Sequence, residues 1–214
     1  MVRYAVCLIL GIIALTAVEC RAKSDEPAAP ASGEAVPTAS ASSTPSPAQP
    51  PQHHGGGPPP SAVGTKAVAQ LRPADPKSKI SGTVTFTQEM GGVRVVADVS
   101  GLKPGKHGFH IHQKGECTSP FKSAGDHLNP YNLAHSCPPE QLRHLGDLGS
   151  IEVGPDGKGH YDQVVDKISV VDPFHLVVGK SVIVHAGSDD CKTQPSGGSG
   201  DRIACGVIQL APRH

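Results

Sequence analysis

The chain has 214 residues, with 19 basic and 19 acidic side chains and so no net charge when histidine is neutral. That balance gives no footing for nucleic acid or an acidic membrane surface as a partner. Aromatic residues are scarce, whereas 25 Gly and 21 Pro imply many turns, and the length suits one domain plus additional segments.

Residues 1–22 read as an export signal: Arg3, then an apolar run from Ala5 to Val18 that is shorter than the roughly 20 residues of a membrane-spanning helix, then Glu19. Two endings stand open. The signal is cleaved after Ala22, or Cys20 becomes the lipidated first residue of a lipoprotein and gives the chain its sole membrane contact. In residues 23–65, 33 of 43 positions are Pro, Ala, Ser, Thr or Gly and none is aromatic. Such a stretch cannot bury enough apolar surface to offset chain entropy, and it is expected to be a disordered tether. His53-His54 inside it reads as a solvated pair, with an auxiliary copper contact as the alternative.

From Lys66 to the end the text changes to short β-type segments. Ala67–Leu71 alternates loosely, and Ile80–Gln88 has period two, with Ile80, Gly82, Val84 and Phe86 on one face. A turn at Met90-Gly91-Gly92 leads to a return strand, Val93–Val99, and a turn at Leu102–Gly105 leads to Lys106–Gln113. Residues 114–146 show no sustained periodicity, and a loop of that length inside a compact domain implies function. Strands resume at Leu148–Val153, Gly159–Val165 and Ser181–His185; a second long loop, Ala186–Asp201, precedes a last strand at Ile203–Leu210. With no amphipathic helix and about eight strands, the expected fold is an all-β sandwich or barrel with two long functional loops.

The strand Lys106–Gln113 delivers the chemistry. In His107-Gly-Phe-His-Ile-His112, His110 and His112 stand at i and i+2 and share one strand face, while Phe109 and Ile111 point the other way. His127, His135, His144, Asp147 and His185 follow. Seven ligands are too many for one ion, so two sites are the economical division. His135, His144 and Asp147 include a carboxylate and suit zinc. His110, His112 and His185 lie on strands and suit copper(II), which favours imidazole-rich tetragonal sites. His127 has two ring nitrogens and can serve both. Outside the signal four cysteines remain, Cys117, Cys137, Cys191 and Cys205, and an even count in an exported chain implies two disulfides; a four-cysteine zinc site is the alternative, but no C-x-x-C pair is present.

Five segments carry a resemblance: His107–His112, Ser123-Ala-Gly-Asp-His-Leu-Asn-Pro130, His144-Leu-Gly-Asp-Leu-Gly149, Val184-His-Ala-Gly187 and Gly200-Asp-Arg-Ile-Ala-Cys-Gly-Val207. In this order they resemble the copper–zinc superoxide dismutases, and the likeness spans 66–211. It implies an eight-stranded Greek-key β-barrel that turns two superoxide ions and two protons into O2 and H2O2. It implies copper at His110, His112, His127 and His185, and zinc at His127, His135, His144 and Asp147. His127 would bridge the metals and carry a proton on its copper-side nitrogen during part of the cycle. Asp189 would accept hydrogen bonds from His110 and His135, Arg202 would guide the anion, and Cys117 would pair with Cys205. His107 matches no ligand and reads as structural.

Cys117 follows His112 by five residues, which resembles the bacterial exported, periplasmic type, and the second loop is short, with only 16 residues between His185 and Arg202. Several charges of longer second loops have no counterpart; Lys192 is left either as a steering charge or as a solvated lysine. Cys137 stands two after His135, and Cys191 two after Asp189, its implied partner, so a Cys137–Cys191 disulfide is expected. The rivals are a non-catalytic copper or zinc carrier, which would need neither a bridging His127 nor Arg202, and a zinc hydrolase, which would lack His-Glu-x-x-His. Monomer and homodimer both stay open; Val170-Val171 and Phe174 read as an interface or a covered edge.

Overall fold

The computed structural model describes residues 63–212, so the signal, Cys20, His53-His54 and most of the tether lie outside the described residues. Nine strands follow in order: β1 Lys66–Pro73, β2 Ser81–Glu89, β3 Gly92–Ser100, β4 Gly105–His112, β5 Asp147–Val153, β6 Lys158–Val165, β7 Ser181–His185, β8 Arg202–Val207 and the short β9 Gln209–Leu210. Among the described residues there is no α-helix, only a single 3-10 turn at Lys122–Ala124.

Alternation shapes the strands. Ala67, Ala69 and Leu71 of β1, Val84 and Phe86 of β2, and Val93, Val95, Ala97 and Val99 of β3 all turn into one core. Their intervening polar residues face water, the pattern of a sheet with one buried face. The strands run antiparallel in the order β2-β3-β6-β5-β4-β7-β8-β1, and β1 also pairs with β2, so the sheet closes into an eight-stranded barrel. The β3–β6 and β4–β7 neighbours require long connections, which makes the topology a Greek key. Phe109 and Tyr161 meet edge to face inside it at 5.2 Å.

The expected strands are all present, with three local differences. The last one breaks at Ile208, whose N–H turns to Lys180 O while its own carbonyl accepts from Gly179. Gly64 N donates to Gln88 O and Gln88 N to Thr65 O, so the β1–β2 ladder reaches back into residues read from the sequence as tether. The connection 166–180, with no periodicity of its own, is pinned from beneath by Gln88. This side chain is buried on the core face of β2; its Oε1 accepts from Ser169 Oγ and Val170 N, and its Nε2 donates to Gly92 O. Val170 is therefore in the core and not on a surface patch, whereas Phe174 is 67% exposed.

Candidate metal centre

β4 is buried on both faces. Phe109 and Ile111 enter the barrel core, and His110 and His112, each 0% exposed, stand on the outer wall beneath the two long loops. The end of β4 is zipped to the first loop: Leu128 N donates to Ile111 O, Ile111 N to Gly146 O, and His112 pairs with His127. This brings His127 alongside β4. A Cβ at Gly146 would overlap Ile111 O, so only glycine permits this approach. Register shifts fall at two of the ligand positions, between Gly108 and His110 against β5 and between Val184 and His185 against β8. Bulges re-aim side chains out of a regular ladder.

Two groups of polar atoms result. His110, His112, His127 and His185 form one, and His127, His135, His144 and Asp147 the other; in each, the candidate ligand atoms lie within 4.8 Å of one another. In the first group His110 Nδ1, His112 Nε2, His127 Nε2 and His185 Nε2 are buried with no hydrogen-bond partner. Buried lone pairs without partners are costly unless something binds them. In the second group the Nδ1 atoms of His127, His135 and His144 stand 2.8, 3.0 and 3.2 Å from Asp147 Oδ1. His127 Nδ1 and His144 Nδ1 are 3.5 Å apart. Bonds of about 2.0–2.1 Å to a tetrahedral ion would separate nitrogens by roughly 3.3 Å, so this knot of donors fits one zinc-sized cation. Four imidazole nitrogens in the first group suit copper.

The rings are held from behind. His112 Nδ1 bonds Gly125 O at 2.9 Å, His185 Nδ1 bonds Gly200 O at 3.1 Å, and His144 Nε2 bonds Leu133 O at 3.0 Å. Asp189 accepts from His110 Nε2 at 2.8 Å and His135 Nε2 at 2.9 Å, tying the two groups together. Each of these five rings thus anchors one nitrogen and presents the other. His127 alone turns one nitrogen to each group. His107 bonds His185 O and Lys103 O and presents nothing, a structural pin as expected.

Burial, with neighbouring imidazoles, lowers His112 to about 2, His185 to about 3 and His127 to about 4, and it also lowers His110. These rings are neutral at physiological pH, with lone pairs free for a cation. His135 goes the other way: burial opposes its charge, yet Asp147 and Asp189 raise it to about 9. Burial would raise both carboxyls, but the histidine hydrogen bonds hold Asp147 and Asp189 well below the usual carboxylate range. The pocket between them therefore favours positive charge.

A cleft of about 440 Å³ opens onto the first group, lined by His112, His127, His185, Gln194 and Arg202. Arg202 Nη1 donates to Phe121 O at 2.7 Å, and the Cys117–Cys205 disulfide joins the same loop to β8. A second disulfide, Cys137–Cys191, joins the two long loops. Lys192 does not line the cleft. Asp190 caps a turn, accepting from Lys192 N and Thr193 N at 2.9 and 2.8 Å.

Some contributors carried no signal in the sequence. Gln194, Gly197 and the anchoring carbonyls of Gly125, Leu133 and Gly200 are set by tertiary packing. Arg143, 2% exposed, pairs with Asp166 at 3.0 Å and braces the first loop; its place directly before His144 was the one available hint.

A family model described as copper/zinc superoxide dismutase matches residues 80–208. An extracellular Cu-Zn superoxide dismutase of Brugia pahangi is 38% identical over 141 residues, covering 62% of this chain and 70% of that protein. A Cu-Zn superoxide dismutase of Onchocerca volvulus is 38% identical over 159 residues, covering 69% of this chain and 98% of that protein. Among solved structures, the one described as the clock protein EA4 superposes with a TM-score of 0.63 at 36% identity, covering 70% of this chain and 96% of that one.

Proposed function

The chain belongs to the copper/zinc superoxide dismutase family, and from that premise we propose that its two histidine groups are the copper and zinc sites, one of each per chain. Its activity is superoxide dismutation, 2 O2⁻ + 2 H⁺ → O2 + H2O2, and its cofactors are copper and zinc. His110, His112, His127 and His185 would hold copper; His127, His135, His144 and Asp147 would hold zinc. The observation that carries this reading is His127, the one ring with a nitrogen in each group.

Bound copper supplies a one-electron redox couple, and zinc a fixed charge without redox change. The protein does the rest. Arg202 holds a permanent positive charge at the cleft and orients the small anion. Its contact with Phe121 O fixes where that charge stands. His127 Nε2 holds a proton in one half of the cycle and hands it to the departing product in the other. Its Nδ1 is committed to the group formed with His135, His144 and Asp147, which keeps the ring's tautomer defined. Asp189 orients one ring in each site.

The chain is read as exported, which its two disulfides and the extracellular relative support. The finer reading is a bacterial exported type, in the periplasm or cell envelope, supported by the five-residue step from His112 to Cys117. Residues 23–65 would tether the 66–214 domain, with a lipid at Cys20 or none. Mass spectrometry of the mature N-terminus distinguishes a lipidated Cys20 from cleavage after Ala22. Metal analysis with a superoxide-removal assay tests the activity. One copper and one zinc with rapid dismutation, both linked through His127, is expected; His127→Ala with both metals and near-full activity refutes the bridging role.

A further inference from the structure

His110, His112 and His185 are held in strand ladders. His135 is not: it lies in the irregular part of the first loop, with no strand or helix to fix its main chain. A single side chain does that instead. Gln194 Oε1 accepts from His135 N at 2.8 Å, and Gln194 Nε2 donates to His135 O at 2.9 Å. One amide thus pairs with both backbone groups of a residue 59 positions away, as a neighbouring strand would. Glutamine suits the task because its side chain carries a donor and an acceptor in one plane.

The amide is itself braced. Its Nε2 also reaches Lys192 O at 3.1 Å. The turn beneath it is formed by Asp190, which accepts from the Lys192 and Thr193 amides, and is closed by Gly197 N donating to Thr193 O at 2.7 Å. The Cys137–Cys191 disulfide joins the same two segments, two residues from His135 on one side and three from Gln194 on the other. Asp189 governs only the ring of His135, through Nε2. A ring can rotate onto its target only if its Cα is in place, and Gln194 controls that second coordinate.

We propose that Gln194 is a positioning residue for the zinc site: by clamping the main chain of His135 it aims Nδ1 at the space shared with His127, His144 and Asp147. The proposal rests on reading His135 as a zinc ligand. Gln194 also lines the substrate cleft, so activity alone would not separate positioning from a role in anion entry. Metal affinity and the spectrum of a substituted ion do separate them.

The experiment uses the metal-free full chain titrated with Co(II), read by its d–d absorption, and with zinc in competition against a chelator. Gln194→Ala is expected to weaken zinc and Co(II) binding about 10- to 100-fold, the usual effect of losing a group that orients a ligand, with copper binding at the wild-type level. Gln194→Glu, which keeps the acceptor for His135 N–H but loses the donor to His135 O, should fall between the two, and it carries the test if the alanine variant does not fold. Wild-type affinities and an unchanged Co(II) spectrum in both variants overturn the clamp and leave the zinc assignment standing. A His135→Ala protein that binds Co(II) as well as wild type overturns the zinc assignment and the clamp together.

Discussion

Gly197 has a φ of +67°, and an added Cβ there would overlap Asp189 Oδ1 and crowd His135 Nε2. Gly197→Ala therefore perturbs the metal centre in two separable ways. Left-handed backbone costs a residue with a Cβ roughly 1–2 kcal/mol, which lowers the stability of the metal-free protein by a few degrees in Tm. The steric part acts elsewhere: the Asp189 carboxylate must move off the methyl group, and it accepts from His110 Nε2, His135 Nε2 and Cys191 N at 2.8, 2.9 and 2.7 Å. A hydrogen bond to a charged group is worth about 1.5–3 kcal/mol net. Loss of a group that orients a metal-bound histidine weakens binding about 10- to 100-fold, or ~1.4–2.7 kcal/mol. Zinc affinity, measured by competition with a chromophoric chelator, should fall within that range, and copper affinity should fall too because Asp189 serves both groups. A variant with a lowered metal-free Tm but wild-type affinity for both metals would refute the steric argument and leave only backbone strain.

Three further outcomes follow from the same geometry. Arg202→Ala should keep both metals and slow turnover, with the deficit shrinking as salt rises because the attraction is screened; a salt-independent deficit, read from the assay at several ionic strengths, would contradict a steering role. Cys137→Ser with Cys191→Ser opens a cross-link of sequence separation 54, worth at most about 4 kcal/mol by loop-closure entropy, and should lower both Tm and zinc retention in calorimetry and dialysis. Asp166 is pushed up by partial burial, but Arg143 outweighs this and holds it below the usual carboxylate value. Its contribution is therefore present above the unfolded pKa near 3.9 and is lost as pH falls below it. Asp166→Asn should flatten the acid-side slope of stability against pH, measured by denaturant unfolding between about pH 2 and pH 5.

What could be read in advance divides along physical lines. Strand positions were legible wherever one face is buried, because alternation records it, as in Val93-Arg-Val-Val-Ala-Asp-Val99. Side chains that could bind metal were legible because histidine and aspartate advertise their chemistry. Gln194 was not: a glutamine in a polar loop has no pattern that separates a clamp from a solvated residue. Nor were the carbonyls of Gly125, Leu133 and Gly200, since every residue has one and only the folded chain selects among them. Val170 resembled a surface patch because its anchor, Gln88, lies 82 residues away. The break at Ile208 depends on Lys180, equally remote in sequence. The Cys137–Cys191 disulfide follows from the Asp189–His135 contact, one of the few cases in which one long-range pair implies another.

β4 places two tasks on a single strand at one-residue spacing. Phe109 and Ile111 fill the barrel, while His110 and His112 stand outside it. A deletion or insertion of one residue here would exchange the sets, sending imidazoles into the apolar interior and leaving hydrocarbon where the ligands belong. Loops such as 186–201 are free of that constraint, since their length can change without inverting anything in the wall. Variation among descendants of this sequence should therefore appear as altered loop lengths and altered cross-links, while β4 changes by substitution and not by length.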